Sequence, residues 1–253
     1  MDEGKRASLV DHLDELRGRI LRSALYTVAG MALVWAAFPP VYRFLVRPIQ
    51  AQVDKFGAEL DVFHVMEGFL IRMEVALIGG LILAAPFIFR EVWAFVAPGL
   101  MPNERRTVRP IVPVAAVLFL LGVAMAYAIT EPTIYFFLLF VPHGAHARLN
   151  LNNTLLLMLK FYLAFGLAFQ LPIVLVLLAK LGIVNSRILI RRWREAVVII
   201  LVVAAIITPS WDPIIMTVCA IPMVLLYLGT IGVIKVIDRR RARREQAERT
   251  LAG

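Results

Sequence analysis

The chain has 253 residues, 60% of them hydrophobic, and a mean hydropathy of +0.80. Several of its apolar runs approach about 20 residues, which excludes an ordinary soluble domain and places the chain among all-α, polytopic membrane proteins. The net charge of +9 is compatible with nucleic acid, but the basic residues gather at the ends of apolar runs, where they set membrane topology, so no nucleic-acid partner is expected.

One cysteine, Cys219, leaves no internal disulfide and no multi-cysteine metal site. The first apolar run follows a charged stretch without a clear small-residue cleavage site, so it reads as a retained span.

Residues 1–22 mix Lys5, Arg6, Arg17, Arg19 and Arg22 with Asp11, Asp14 and Glu15, while Leu9, Leu13, Leu16 and Ile20 recur at helical spacing. This pattern predicts an amphipathic helix lying against the bilayer. Span 1 follows, Leu21 to Phe38, ended by Pro39-Pro40. Val41 to His64 is mixed in polarity and predicts short interfacial helices and loop, broken at Pro48. Span 2 is Phe69 to Phe89. The run from Pro86 to Arg106 then reads as a polar, aromatic loop containing Glu91, Trp93, Phe95, the Pro98-Gly99 turn and Glu104.

Span 3 is Ile111 to Ile129, with Glu131-Pro132 starting the next connection. Thr133 to Val141 reaches only about 14 Å as a helix, too short for a core of about 30 Å. Span 4 is Thr154 to Leu178 and carries Lys160, Gln170 and Pro172. The wholly apolar part of span 5, Ala196 to Ile207, reaches about 18 Å, so it either thins the bilayer or extends through polar flanks. A turn at Thr208 to Pro213 leads to span 6, Ile214 to Ile234, and the charged tail from Lys235 is frayed or helical in water.

Placing the N-terminal segment, the loops after spans 2 and 4, and the tail in the cytoplasm puts 21 of the 27 Lys and Arg residues inside. Six spans with both ends cytoplasmic satisfy the positive-inside rule. The domain division is then a cytoplasmic helix over 1–22, a membrane domain over 23–234 and a basic tail over 235–253.

Little supports catalysis, and no enzyme, cofactor or metal is expected. No Ser/His/Asp arrangement or glycine-rich phosphate loop is set up, and His143 and His146 read as polar loop residues. Glu15, Glu91 and Glu104 stand out as acids on a basic face. Local roles explain two of them: Arg19 is an i,i+4 partner for Glu15, and Glu104 follows Asn103 in a first helical turn. Spacing alone favours those local roles; the sharper reading is a receptor for a cationic peptide, since carboxylates flanked by aromatics hold guanidinium groups. A proton- or ion-coupled small-solute carrier is the alternative from another class, motivated by Lys160 and Gln170 in one span.

The stretch His12-Leu-Asp-Glu-Leu-Arg17-Gly-Arg19 resembles the N-terminal signature of the TatC family, the core subunit of the twin-arginine protein translocase. Pro86, Val92-Trp93-Ala94-Phe95, Ala97-Pro98-Gly99-Leu100 and Glu104-Arg105-Arg106 resemble its first cytoplasmic loop. Phe165 through Pro172 is similar to its fourth span, and Thr208-Pro209, Asp212 and Ala220-Ile221-Pro222 are similar to its last hairpin. These matches occur in order across nearly the whole chain.

The resemblance implies a concave, glove-like bundle of six spans in the bacterial cytoplasmic membrane, with short fifth and sixth spans. It implies that Glu15 and Glu104 receive the paired arginines of signal peptides on folded cargo, with Phe95, Arg17 and Glu91 at that site and Pro48, Pro86, Pro98 and Asp212 as structural positions. It implies TatA/TatB-type single-span partners in a multimeric assembly within membrane lipid, driven by the proton-motive force. Gln170 stands where many relatives carry glutamate, and a neutral amide cannot exchange a proton near pH 7. Met216 stands where relatives often place glutamine. Gln170, Thr208, Met216 and Thr217 are the expected contacts to partners inside the membrane.

Overall fold

A computed structural model describes the backbone of residues 3–96, 111–142, 145–208 and 212–252, and the side chains of 12–96, 111–142, 145–208, 212–239 and 246. The helices are α1 (Glu3–Ala36), α2 (Phe38–Phe56), α3 (Glu67–Val96), α4 (Ile111–Leu139), α5 (Leu151–Ala168), α6 (Leu171–Lys180), α7 (Ser186–Arg191), α8 (Trp193–Ile207) and α9 (Pro213–Ala252). All-α describes this chain apart from β1 (Glu59–Asp61) and β2 (Arg148–Asn150), which pair in parallel with Glu59 opposite Arg148. Among the described residues, four helical stretches, α3, α4, α5 with α6, and the first part of α9, are long and apolar enough to cross a membrane. A fifth appears if α1 and α2, bent by 83° at Ala37, count as one broken span.

Prolines mark this architecture, but fewer of them end helices than the sequence rule predicts. Pro39 and Pro40 have no N–H for the carbonyls of Trp35 and Ala36, and α1 ends at Ala36. They then occupy the first turn of α2, where no donor is needed. Arg72 on α3 supplies the missing donor: its Nη2 gives a hydrogen bond of 3.0 Å to the Trp35 carbonyl, and its guanidinium lies 4.5 Å from the Trp35 ring centroid. The expected break at Pro48 does not occur. Pro48 is buried inside α2, and the Phe44 carbonyl it leaves open accepts a 2.9 Å hydrogen bond from the Tyr127 hydroxyl of α4.

Four further boundaries differ from expectation. The N-terminal segment and span 1 are one continuous helix, and the predicted loop from Pro86 is helical through Val96. Helix α4 continues past Glu131-Pro132 to Leu139, where Thr130 and Thr133 hydroxyls return to the carbonyls of Ala126 and Ile129. Span 4 breaks at Phe169-Gln170, because the Ala168 carbonyl would need an N–H from Pro172. The tail is helical to Ala252, one of the two states expected of it.

The chain divides into two compact units, residues 1–163 and 164–253. In the first, α1 and α3 make the most extensive helix contact, and α4 packs on both α3 and α2. Gly30 and Gly80 are the reason α1 and α3 approach so closely. A Cβ at Gly30 would stand 2.5 Å from the Gly80 carbonyl oxygen, and one at Gly80 would stand 2.4 Å from the Met31 nitrogen. Two backbones in direct contact gain dispersion without the loss of side-chain freedom, the usual basis of association in lipid. Gly57 ends α2 at φ 61°, a left-handed conformation that glycine adopts without strain.

In the second unit, α9 packs against α6, α7 and α8. Asn185 caps α7 by accepting from Ile188 N at 2.9 Å, and Asp238 Oδ2 on α9 accepts from Ser186 N at 2.9 Å. Asp212 caps α9, its Oδ1 accepting from Ile214 N at 2.8 Å and Ile215 N at 3.1 Å.

Candidate functional site: the Glu15 end of the α1–α3 pair

The glycine crossing sets the register of two antiparallel helices. Arg19 lies eleven residues before Gly30 on α1, and Glu91 lies eleven residues after Gly80 on α3. Each is therefore displaced about 16 Å along its helix toward the same end. There Arg19 Nη1 stands 3.5 Å from Glu91 Oε2, and Arg22 Nη1 reaches the same oxygen at 3.5 Å. The Glu91 side chain is 6% exposed. Its Oε2 has two cations beside it yet makes no hydrogen bond among the described residues. A buried carboxylate without compensation is costly, and these two arginines supply the opposite charge beside it.

Glu15 sits four residues before Arg19, in the polar part of α1 that precedes the apolar run. Its Oε1 accepts from Arg19 Nε at 3.2 Å and also pairs with Arg19 Nη2. The Arg19 hydrogen bond holds the Glu15 carboxyl below its usual value, opposed by partial desolvation and aided by the charges of Arg19, His12 and Arg22. The Glu15 side chain is 34% exposed. His12 Nδ1 lies 3.9 Å from Glu15 Oε2, and the His12 ring stacks on Phe95 with centroids 4.4 Å apart and planes at 14°. One helix thus contributes His12, Glu15, Arg19 and Arg22, and the other contributes Glu91 and Phe95.

Chemically this is an exposed carboxylate beside a flat aromatic stack, held by a single arginine that a buried second carboxylate also engages. It suits guanidinium binding by charge, hydrogen bonding and ring contact. Of the residues expected at the site, Glu15, Glu91 and Phe95 come together. Arg17 is exposed on α1 and makes no ion pair among the described residues. Glu104 and Pro98 lie outside the described residues. Pro86 is half-buried within α3.

The residues expected to face partners all lie in the second unit. Gln170 is half-buried at the start of α6, its carbonyl accepting from Ile173 and Val174. Thr208 is buried at the end of α8, and Met216 is half-buried on α9. The Thr217 hydroxyl is exposed and donates to the Pro213 carbonyl at 2.6 Å. His143 lies outside the described residues, and among the described residues no group of three or more His, Cys, Asp and Glu is placed to hold a metal ion.

Sequence reasoning missed the Arg19–Glu91–Arg22 cluster and the His12–Phe95 stack. Both depend on the register of α1 against α3. The signal available was the pair of small residues, Gly30 and Gly79-Gly80, in two neighbouring apolar runs.

The family model described as Sec-independent protein translocase protein (TatC) matches residues 11–222. The chain is 36% identical over 248 residues to the Sec-independent protein translocase protein TatC of Koribacter versatilis, covering 96% of this chain and 92% of that one. It is 34% identical over 240 residues to the chloroplastic TATC protein of Pisum sativum, covering 94% and 67% respectively. Its fold is similar to that of a crystal structure of the twin-arginine translocase receptor TatC, with a TM-score of 0.74 at 32% identity over 89% of this chain and 98% of that one. A second crystal structure of that receptor gives 0.77 at 31% identity, covering 88% and 99%.

Proposed function

Since the chain belongs to the TatC family of Sec-independent protein translocase proteins and is a multi-pass membrane component of a twin-arginine translocase, we propose that it is the core subunit and signal-peptide receptor, and that signal peptides dock at the Glu15 end of α1 and α3. The observation that carries this is the state of Glu15: partly exposed, charged, beside an aromatic stack, and held by Arg19 from its own helix. An incoming guanidinium replaces Arg19 on Glu15. Arg19 then keeps its contact with Glu91, so the exchange strands no charge. Phe95 presents a ring edge to the ligand, Arg17 sets the charge of the exposed face, and Glu104 supplies the second carboxylate for the second arginine.

The topology that serves this site has six spans in the bacterial cytoplasmic membrane: α1, α3, α4, α5 with α6, α8 and α9, with both ends cytoplasmic. Residues 1–22 and 235–253 form the cytoplasmic parts, although α1 and α9 run through those boundaries without a break. Helix α8 has 15 residues, about 22 Å against a core of about 30 Å, so the bilayer thins beside it. TatA/TatB-type subunits contact Gln170, Thr208, Met216 and Thr217, and the proton-motive force drives export of folded cargo. The work is recognition and scaffolding, with no catalytic step.

Complementation of a translocase-deficient strain tests the assignment. The wild-type chain is expected to restore export of a twin-arginine reporter, and Glu15→Ala and Glu104→Ala are expected to lose it at equal membrane levels. Full export by both variants would overturn the site.

A further inference from the structure

The second unit holds a cavity that neither the signal-peptide site nor the expected partner contacts use. It has a volume of about 350 Å³ and is walled by α6, α7, α8 and α9, with Leu175, Ile199, Met223 and Leu226 among its apolar lining and Arg192 and Glu195 at one edge. We propose that it binds one zwitterionic phospholipid with a primary ammonium headgroup, the phosphate on Arg192, the ammonium on Glu195 and an acyl chain in the cavity.

The wall offers an acyl chain what it needs and a polar ligand almost nothing. The other polar side chains of its wall are committed elsewhere: the Tyr227 hydroxyl donates to the Leu189 carbonyl at 3.0 Å and the Thr230 hydroxyl to the Leu226 carbonyl at 2.7 Å. Burying a polar ligand there would leave its donors and acceptors unpaired. The wall is also pre-formed, since the Asn185 cap fixes α7 and the Asp238 bond ties α7 to α9.

The edge carries charge of both signs. Arg192 and Glu195 are exposed, flank the first turn of α8, and make no ion pair among the described residues. Three positions apart, they lie about one helical turn from each other, roughly 5–6 Å between Cβ atoms. That spacing suits a phosphate and an ammonium joined by two carbons. An anionic headgroup without the ammonium would satisfy Arg192 and leave Glu195 facing like charge.

The depth agrees with this placement. Glu195 is the last charge before the apolar run from Ala196, and α9 turns charged at Lys235, beyond Thr230 of the cavity wall. The two charges therefore stand where apolar helix gives way to polar helix, the level of lipid headgroups. From Arg192 to Ile200 the wall runs about 12 Å inward, the direction an acyl chain takes.

Native mass spectrometry of the full chain, released from bilayers of equal phosphatidylethanolamine, phosphatidylglycerol and phosphatidylcholine, tests the proposal. One retained phosphatidylethanolamine per chain is expected, favoured over phosphatidylglycerol by about fivefold or more, the size of one charge-assisted contact. Glu195→Gln removes that preference, Arg192→Gln lowers retention of all three lipids, and Leu226→Trp, which fills the cavity, abolishes retention. Both edge residues are exposed, so their variants keep the fold, and an unchanged melting temperature verifies this. Equal or better retention of phosphatidylglycerol, a preference that survives Glu195→Gln, or a wild-type chain that leaves the bilayer without bound lipid would each overturn it.

Discussion

The two ends of the α1–α3 pair use arginine in opposite ways. At the α1–α2 bend, Arg72 is committed to its own chain: it donates to the Trp35 carbonyl and lies over the Trp35 and Phe38 rings. At the other end, Arg19 is shared between Glu15 and Glu91, and Glu15 keeps an exposed face. The first arrangement closes a backbone gap left by proline. The second leaves a carboxylate held by a replaceable partner. An arginine whose ligands belong to the fold is structural; one whose ligand also faces solvent can give way to a competing arginine.

Because the Gly30–Gly80 crossing lies between these ends, disturbing it should damage both. Gly80→Leu would push side-chain atoms into the backbone of α1, and a loss of about 3 kcal/mol or more is expected, measured as thermal unfolding in detergent. Glu91→Ala sharpens the contrast at one end. It leaves two arginines without their buried partner and is expected to cost about 2 kcal/mol, less than the roughly 3–5 of a fully buried pair because Arg22 is half exposed.

Glu15→Gln should separate binding from stability. The melting temperature is expected to stay the same, while affinity for a twin-arginine signal peptide falls by about tenfold or more, read by titration of a labelled peptide. Tyr127→Phe lies away from both ends and removes only the donor to the Phe44 carbonyl, an expected loss of about 0.6 kcal/mol with peptide binding unchanged. The smallest effect concerns pH. A carboxyl held below its usual value keeps its charge as pH falls through the usual glutamate range, and loses it only below its lowered value. With the neighbouring imidazole removed in His12→Gln, peptide affinity at about pH 5 should therefore stay within about twofold of that at pH 7.

The membrane character, the motif order and Glu15 beside Arg19 were legible in the chain, because each rests on local composition or spacing. The helix ends were less so. Pro48 and Pro132 read as breaks when each is weighed alone, yet both sit inside helices. At Pro48 the reason is a donor to the Phe44 carbonyl, the Tyr127 hydroxyl, 83 positions on from Phe44 in the sequence. Glu91 was the least readable residue. Its neighbours in the chain suggest a loop acid near Arg90, whereas the glycine register turns it toward Arg19 and Arg22 on another helix.

The central claim is that Glu15 holds a cargo arginine by exchange with Arg19. Site-specific crosslinking from a position beside Glu15 to signal peptides carrying either a twin-arginine or a twin-lysine pair tests it most directly. Strong labelling of the twin-arginine peptide, weak labelling of the twin-lysine peptide and loss of the difference in Glu15→Gln are predicted. Equal labelling of the two peptides by the unaltered chain would contradict the account.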